Sequence, residues 1–479
     1  MLNNPARAEL SRDFKKIGFF TLAFGAMIGV GWVTALSGWL EQAGPLGTAI
    51  AFAIGGAIMV CIGLCYAELT PALPLTGGEV AYAYKAYGTF KAFLVGWALA
   101  VGYISISGFE AISIGRVLSF MFPGIDRWPL YHVMASTVYG THLLLAVGCT
   151  LAITAIHWFG TALVARLQVW LTLAFVAVAL IFLLAGFGGG SVANLQPLLP
   201  PGSTSTVIGG ILAVLVTVPF WFVGFDIIPQ SAEEASHSVR PRQLAGLILW
   251  SIVAATAFYI LLVFAVSFAD PWQEIVGTDL PAARAFELAF NSSFLADAVL
   301  VAALIGLFTS WNGFFLAGSR VIFALGRAGI LPRALGAADD RHHTPKNAIL
   351  LTGALTLVTP LLGRDAILAI VNVGSFYISL AFLGVTLSLM KLRRDAPELH
   401  RPYTPPGGNA VPIIAATGAV AMLLAMLIPG SPAALRWPIE AGLLIGFGVL
   451  GLALWFLAHR DRDAMTENER TYQVLGKYI

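Results

Sequence analysis

The chain has 479 residues, of which 58% are hydrophobic and 11% are charged, whereas soluble domains carry roughly 25% charged residues. This composition excludes an ordinary soluble globule, because the many apolar runs of about 20 residues each match a hydrocarbon core about 30 Å thick. The net charge of +2 gives no support for a nucleic-acid-binding protein, and the three cysteines lie inside apolar runs, where neither disulfides nor a metal site are expected.

Apolar runs separated by polar breaks predict an all-α membrane protein with about twelve transmembrane helices. A short surface helix is expected between the seventh and eighth spans, and we expect no cofactor. The expected spans lie near residues 17–38, 46–70, 90–121, 139–157, 165–187, 207–230, 243–268, 294–325, 346–362, 365–390, 410–429 and 437–459.

The distribution of basic residues predicts the orientation in the membrane. Lys and Arg concentrate in cytoplasmic segments of membrane proteins. With the N-terminus inside, five of the 27 Lys and Arg residues fall on the outer side: Arg116, Arg127, Arg284, Arg364 and Arg436. We therefore expect a multi-pass protein of the cytoplasmic membrane with both termini cytoplasmic.

Two spans contain segments that form helix poorly. The first span reads Gly-Ala-Met-Ile-Gly-Val-Gly over 25–31, and the sixth reads Pro-Phe-Trp-Phe-Val-Gly-Phe-Asp over 219–226. Because five spans separate them, the two halves of the chain would insert with opposite topology, as in the inverted repeats of secondary transporters. Gly25 and Gly29 taken alone also fit a helix-packing motif, but the matching segment in the sixth span favours two broken helices.

This repeat predicts the organisation of the chain. The expected parts are a cytoplasmic N-terminal segment (1–16), a first repeat (17–187), a second repeat (207–390), two peripheral helices (410–459) and a cytoplasmic tail (460–479).

Four segments resemble the amino acid-polyamine-organocation (APC) transporter superfamily, and in particular bacterial amino acid permeases. They are the glycine-rich stretch at 25–31, the segment 66–84 with its Gly77-Gly78-Glu79, the segment 224–242 with Gly224-Phe-Asp226, and the segment 320–345 with Gly326-Arg-Ala-Gly-Ile-Leu-Pro332. The resemblance covers residues 15 to 405. It implies a core of five plus five helices, broken in helices one and six, that moves amino acids by alternating access.

The broken helices suggest how a substrate binds. A break exposes N–H groups at one new helix end and carbonyl groups at the other, and both need partners in a membrane. A zwitterionic amino acid supplies them: its carboxylate suits the N–H groups at Gly29, Val30 and Gly31, and its ammonium suits carbonyls near Ala26 and at 220–222. The expected backbone site is Ala26, Met27, Ile28, Gly29, Val30, Gly31, Phe220, Trp221, Phe222, Gly224 and Asp226.

Other side chains are candidates for the pocket walls and would select among substrates. Phe220 falls where the family often has an aromatic gate, although a phenylalanine that only packs or faces lipid is the alternative. The candidate wall residues are Glu110, Phe314, Asn372, Ser375 and Tyr377.

Two carboxyls, Glu110 and Asp226, lie well inside spans, where a charge costs at least about 2.5–3.5 kcal/mol. Each is therefore expected to face protein or water. Proton coupling is one interpretation, and a structural carboxyl bonded to backbone freed by the helix break is the other. Glu233 and Glu234, near Arg240 and Arg242, are either a salt-bridged inner gate or a solvated charge cluster.

The coupling ion is not determined by the sequence. Some bacterial members have a lysine in helix five that replaces a sodium ion, but residues 166–175 contain none. Thr309 and Ser310 could give hydroxyl oxygens to a sodium ion, although such hydroxyls often bond to their own helical turn.

The expected function is secondary active transport of amino acids, as a symporter or exchanger. A polyamine or other organic amine, paired with Glu110 and Asp226, is the alternative substrate within the same fold. A channel or membrane enzyme is disfavoured, since the eight histidines show no metal-ligand spacing. The absence of a phosphate-binding loop argues against an ATP-driven pump.

Overall fold

The computed structural model describes residues 7–133, 136–278 and 280–478, so residues 1–6 of the expected N-terminal segment and residue 479 of the expected tail lie outside it. Within this part of the chain, 11 helices are long and apolar enough to span a membrane. The expected ninth span is a shorter apolar helix, Lys346–Leu362. The structure confirms the all-α membrane fold predicted from the sequence.

The first span is broken where its glycines cluster. The helix Lys16–Met27 ends as Ile28 adopts φ −111° and ψ 73°, and a short helix, Gly31–Thr34, begins beyond it. The chain then enters Leu36–Ala72, whose kink at Gly44 (φ 65°) separates the end of the first span from the second span. Three glycines within seven residues make a continuous helix costly, because each weakens it by about 1 kcal/mol relative to alanine.

The sixth span is broken at the matching place. Helices Thr204–Leu215 and Val218–Phe222 lead to Val223, which leaves the helical region, and to Gly224 at φ 135°. The chain resumes as Ile227–Gln230. A φ of this value is accessible at little cost only to glycine, so Gly224 fixes the position of the second break.

The remaining spans are continuous helices, with 3-10 turns next to the ninth and tenth. They are the third (Thr89–Met121), fourth (Gly140–Trp158), fifth (Thr161–Gly189), seventh (Pro241–Ala269), eighth (Ser293–Arg327), ninth (Lys346–Val358 with the 3-10 turn Thr359–Leu362), tenth (Ile367–Asp395), eleventh (Ala410–Leu427) and twelfth (Ile439–Leu457). Shorter helices are Gly78–Tyr87, Trp272–Ile275, Pro281–Phe290, His459–Asp463 and Glu467–Leu475, and other 3-10 turns are Pro123–Ile125, Val192–Leu195, Ala232–Glu234, Arg333–Gly336, Arg364–Ala366 and Gly476–Tyr478.

The two breaks lie in the middle of the helix packing. The first span packs against the fifth, seventh and eighth spans, and the sixth packs against the second and tenth. The last two spans are peripheral: the twelfth buries only 11% of its most apolar window. The arrangement agrees with a core of two five-helix repeats and two added helices.

One element was not predicted. Between the third and fourth spans, the strands Pro129–Val133 and Ser136–Tyr139 pair antiparallel as a small hairpin. The expected surface helix between the seventh and eighth spans is present as two pieces, Trp272–Ile275 and Pro281–Phe290.

Both ends of the described chain meet on one face, here called the terminal face, formed by residues 7–14, 74–79, 232–240 and 461–478. Phe14 pairs with the 3-10 turn after the sixth span, through its N–H to the Glu234 carbonyl and its own carbonyl to the Ser236 N–H. The hairpin and Pro281–Phe290 lie at the other ends of the spans, here called the opposite face.

Candidate functional site

The two helix breaks touch each other. A Cβ placed on Gly224 would lie 2.8 Å from the Met27 Cγ and 3.0 Å from the Met27 nitrogen. A Cβ on Gly31 would collide with the Trp221 ring. Glycine at both positions therefore permits the close approach of the first and sixth spans.

A small cavity lies between the breaks. Its free space is about that of one water molecule, so an amino acid can enter only if the lining side chains move apart. The lining residues are Ala26, Met27, Gly29, Gly31, Ile106, Phe109, Glu110, Phe220, Trp221, Tyr259, Ser310 and Phe314.

Side chains of other spans occupy the backbone groups that the first break frees. The Tyr259 hydroxyl, on the seventh span, donates to the Met27 carbonyl at 2.7 Å. The Glu110 carboxyl of the third span and the Ser310 hydroxyl of the eighth lie directly against Gly29, beyond the break. Polar side chains of other spans therefore face both ends of the break.

Glu110 lies directly against the break. The residue is 1% exposed, and a Cβ on Gly29 would collide with its Oε1 and lie 2.7 Å from the Ser310 Oγ. Its Oε2 has no hydrogen-bond partner among the described residues. The sequence predicted a protein- or water-facing carboxyl here; the structure places it in the cavity wall.

The sixth break is held differently. The Gly224 N–H donates to Asp226 Oδ1 at 2.7 Å, and the Tyr103 hydroxyl donates to Asp226 Oδ2 at 2.8 Å. Asp226 is fully buried and does not line the cavity. Its carboxyl closes its own helix break.

Several predicted site residues lie outside the cavity lining. Ile28 and Val30 are buried without lining the cavity, Phe222 packs on Phe52 and Tyr259, and Gly224 packs on Met27.

The candidates on the tenth span are directed elsewhere, which corrects their expected position in the cavity. Asn372 donates to Glu440 at 2.8 Å, and the Tyr377 hydroxyl donates to the Leu444 carbonyl at 2.6 Å, both on the twelfth span. Ser375 is buried beyond the cavity. Helical periodicity does not reveal which face of the tenth span meets the twelfth.

Neutral side chains fill the junction of the first, fifth and eighth spans. Gln168 donates to the Thr21 carbonyl at 3.1 Å and accepts from Asn312 at 2.7 Å. The Thr309 hydroxyl donates to the Gly25 carbonyl at 3.0 Å and to the Gly306 carbonyl at 2.8 Å. Thr309 therefore bonds both to the first span and to its own turn, and Ser310 faces the cavity instead.

Three aromatic rings cover the cavity on the side of the opposite face. Phe109, Phe220 and Trp221, here called the aromatic lid, have ring centroids 5.1 to 5.8 Å apart. Phe109 and Trp221 also line a wide vestibule with Thr34, Thr278 and Asp365. The lid thus separates the cavity from an open vestibule.

Buried ion pairs close the terminal face. Arg320 of the eighth span bonds to both oxygens of Glu234, at 2.7 and 3.1 Å, with both side chains fully buried. Glu233 pairs with Arg327 at 3.1 Å and with Arg7 at 2.6 Å. Arg320, Arg327 and Arg7, rather than the expected Arg240 and Arg242, are thus the partners of the two glutamates.

The electrostatics of Glu233 show how strong this closure is. Burial raises the pKa of the Glu233 carboxyl, but the guanidinium groups of Arg327 and Arg7 outweigh that effect and lower the pKa from 4.5 to about 2. Glu233 is therefore ionised at neutral pH, and this contact between the sixth–seventh loop, the eighth span and the N-terminal segment persists there.

Sequence reasoning missed three cavity residues, Ile106, Phe109 and Tyr259, and gave Ser310 only an ion-coupling role. Ile106 lies four residues before Glu110 on the same helix, so the face of Glu110 was a signal for Ile106. Phe109 directly precedes Glu110 and was not marked by this spacing. Nothing local marks Tyr259 within its apolar span.

Comparisons with known proteins agree with this geometry. The family model described as "Amino acid permease" matches residues 15–450. The chain is 25% identical to the branched-chain amino acid permease BcaP of Bacillus subtilis, over 96% of this chain and 95% of that protein. It is 27% identical to the aspartate-proton symporter of B. subtilis (83% and 76% covered) and 26% identical to the aromatic amino acid transport protein AroP of Escherichia coli O157:H7 (81% and 83%).

The family match covers both helix breaks, every cavity-lining residue, and Glu233, Glu234, Arg320 and Arg327 of the terminal face. The chain therefore belongs to the amino acid permease family, and it is a membrane transporter of amino acids rather than an enzyme.

Proposed function

We propose that this permease carries zwitterionic amino acids with apolar side chains and that they bind in the cavity between the two helix breaks. The composition of that cavity carries the proposal: main-chain groups of a broken helix at one side, aromatic and aliphatic walls elsewhere, and Glu110 as its one charged side chain among the described residues. An apolar substrate side chain gains free energy from such walls. The names of the branched-chain and aromatic relatives point the same way.

The substrate's carboxylate would bind at the N–H groups of Gly29, Val30 and Gly31, where the helix dipole favours an anion. Its ammonium would lie toward the carbonyls of the two breaks. The Met27 carbonyl already accepts from Tyr259, so the ammonium would share or replace that bond. Phe314 and the lid would surround the side chain, and Glu110 would lie next to the carboxylate.

A polyamine is the weaker candidate. A diamine needs two anionic partners, and Asp226, the second carboxyl near the breaks, is engaged by Tyr103 and Gly224 outside the cavity lining.

The terminal face would be cytoplasmic, as the distribution of Lys and Arg predicts, in the cytoplasmic membrane. The vestibule then opens outward, and the structure corresponds to an outward-facing state with the lid closed over the cavity. In this state Trp221 and Phe109 separate the cavity from the vestibule, so the gate would comprise the whole lid and not Phe220 alone. Inward opening would require separation of Glu233 and Glu234 from their arginines.

Protons are favoured over sodium as the coupling ion. The Thr309 hydroxyl is bonded to two carbonyls, and the adjoining junction is filled by the Gln168 and Asn312 amides. Glu110 is a titratable group in the cavity wall, and one relative is named a proton symporter.

Counterflow in proteoliposomes tests the proposal. Vesicles loaded with unlabelled L-leucine should accumulate labelled L-leucine, and L-phenylalanine, L-valine and L-isoleucine should compete, whereas putrescine, L-lysine and L-glutamate should not. Accumulation should be the same with and without sodium. Saturable exchange of putrescine, or of charged amino acids in preference to leucine, would overturn the substrate class.

A further inference from the structure

The first helix break forms an anion site that is already occupied. Among the described residues, no carbonyl accepts from the N–H groups of Gly29 or Val30, which lie between the two helix pieces. The Glu110 carboxyl lies beside this stretch instead, with its Oε1 where a Cβ of Gly29 would be. A carboxylate is the group that a substrate amino acid would bring to the same place.

The space beside Gly29 admits one carboxyl. The Glu110 Oε1 and the Ser310 Oγ lie where a Cβ of residue 29 would be, and Glu110 is 1% exposed. A substrate carboxylate that approaches these N–H groups must therefore contact Glu110 or displace it.

Few groups near Glu110 can compensate its charge. The spans around Glu110 each contribute side chains to the cavity wall: Met27 from the first span, Trp221 from the sixth, Tyr259 from the seventh and Ser310 from the eighth. Of these, Tyr259 alone is titratable, and no Lys, Arg or His lines the cavity among the described residues. The Tyr259 hydroxyl donates to the Met27 carbonyl rather than to Glu110.

An ionised Glu110 and a bound zwitterion would bring two carboxylates and only one ammonium into this buried site. The uncompensated negative charge favours uptake of a proton by one carboxyl. We propose that Glu110 stands in for the substrate's carboxylate in the empty permease, and that replacement by an amino acid carboxylate leaves Glu110 protonated. One proton then enters the site with each carboxylate. This inference rests on the proposed function, because it requires the substrate to bind at the first break.

The proposal fixes the sign of the pH dependence. Above the pH at which Glu110 of the empty protein ionises, each carboxylate-bearing ligand must bring a proton. Its affinity then falls tenfold per pH unit. A ligand with the ammonium but no carboxylate gains from an ionised Glu110, so its affinity stays level or rises with pH.

The test uses matched ligands and the full-length protein. Kd is measured by calorimetry from pH 5 to 9 for L-leucine and for isoamylamine, which is leucine without its carboxylate. L-phenylalanine and phenethylamine form a second pair. The inference predicts a segment of slope −1 in the logarithm of the association constant for the amino acids and none for the amines.

Two variants locate the proton. Glu110→Gln, nearly isosteric and always neutral, should bind L-leucine with a level pH profile and the affinity that the unmodified protein has at low pH. Glu440→Gln removes another buried carboxyl, far from the cavity on the twelfth span, and should keep the slope. In weak buffer, leucine should draw one proton per site from solution for the Glu440 variant and none for the Glu110 variant.

Each other outcome overturns the inference. Three results would show that Glu110 does not take up the proton, even though amino acids bind. They are a leucine association constant that does not change with pH in the unmodified protein, the same pH dependence for isoamylamine, and a pH dependence that persists in Glu110→Gln. If neither amino acid binds the unmodified protein, the proposed substrate class fails first, and the inference falls with it.

Discussion

The two helix breaks differ in where their closing carboxyl comes from. At the sixth span, the Gly224 N–H is taken by Asp226, two residues along the same chain segment. At the first span, the carboxyl that lies against the break, beside Gly29, is Glu110, which belongs to the third span. Asp226 is additionally held by Tyr103, whereas one oxygen of Glu110 has no partner among the described residues.

This difference separates a structural carboxyl from an exchangeable one. A carboxyl that caps its own break and carries a second bond leaves only if the local fold rearranges. One that reaches across from another helix can be replaced by a ligand. The first break is therefore the place for a substrate carboxylate, and the second break is a fixed wall.

The largest effect is expected for Gly29→Leu, which should abolish L-leucine binding. A side chain at this position collides with Glu110 and approaches Ser310, so it fills the anion site. Calorimetry checks the binding, and size-exclusion chromatography checks the fold. The exposed Gly246, where an added Cβ meets nothing within 4 Å, provides the control Gly246→Leu with unchanged binding. Retained affinity in Gly29→Leu would remove the first break from the site.

Glu233→Gln should lower stability by about 3 kcal/mol at pH 7, since its carboxylate pairs with buried guanidinium groups. The folded-state pKa of about 2 lies below the ordinary 4.5. Its stabilisation is therefore complete above pH 4.5 and is lost as pH falls toward 2.

Thermal unfolding in detergent from pH 7 to 3 measures this. The unmodified protein should lose stability below pH 4.5, and the variant should lack that component. Because Glu233 titrates below pH 4.5, it does not contribute to binding changes above pH 5. A variant as stable as the parent at pH 7 would show that the terminal face closes without Glu233.

Asp226→Leu should destabilise the protein by about 1–3 kcal/mol, the cost of leaving the buried Gly224 N–H and Tyr103 hydroxyl without an acceptor. Asp226→Asn keeps an oxygen for Gly224 and should cost less. A folded Asp226→Asn variant whose affinity for leucine no longer depends on pH would contradict these assignments. The exchangeable carboxyl would then be Asp226 at the sixth span and not Glu110 at the first.

The smallest effect is expected for Phe220→Leu, a few-fold faster release of bound leucine, measured by stopped-flow displacement. This change shrinks one ring of the lid but leaves Phe109 and Trp221 in contact. Phe382→Leu is the matched control, since Phe382 packs on Tyr66 and Phe225, none of which line the cavity, and its release rate should stay the same. Equal effects in both variants would argue for general loosening instead of a gate.

Much of the architecture could be predicted because membrane solvation acts on local sequence. An apolar run long enough to cross the bilayer must become a helix, whatever its neighbours are. Both breaks were predictable for a related reason: clustered glycines in the first span, and Gly224 beside Pro219 in the sixth, weaken any helix that contains them. The hairpin at 129–139 was not predictable, since its strands lie in a connection between two spans that no membrane constraint forces into a helix.

Which side chain meets which backbone group was decided only by the tertiary structure. The sequence alone determined that Glu110 and Asp226 are intramembrane carboxyls that must face protein or water. It could not distinguish them, because the contact between Gly29 and Glu110 joins residues 81 positions apart and depends on how the third span packs against the first. The same holds for Tyr259, for the arginine partners of Glu233 and Glu234, and for Asn372, whose face turns to the twelfth span. Local propensity identifies a helix break, but only helix packing determines which carboxyl fills it.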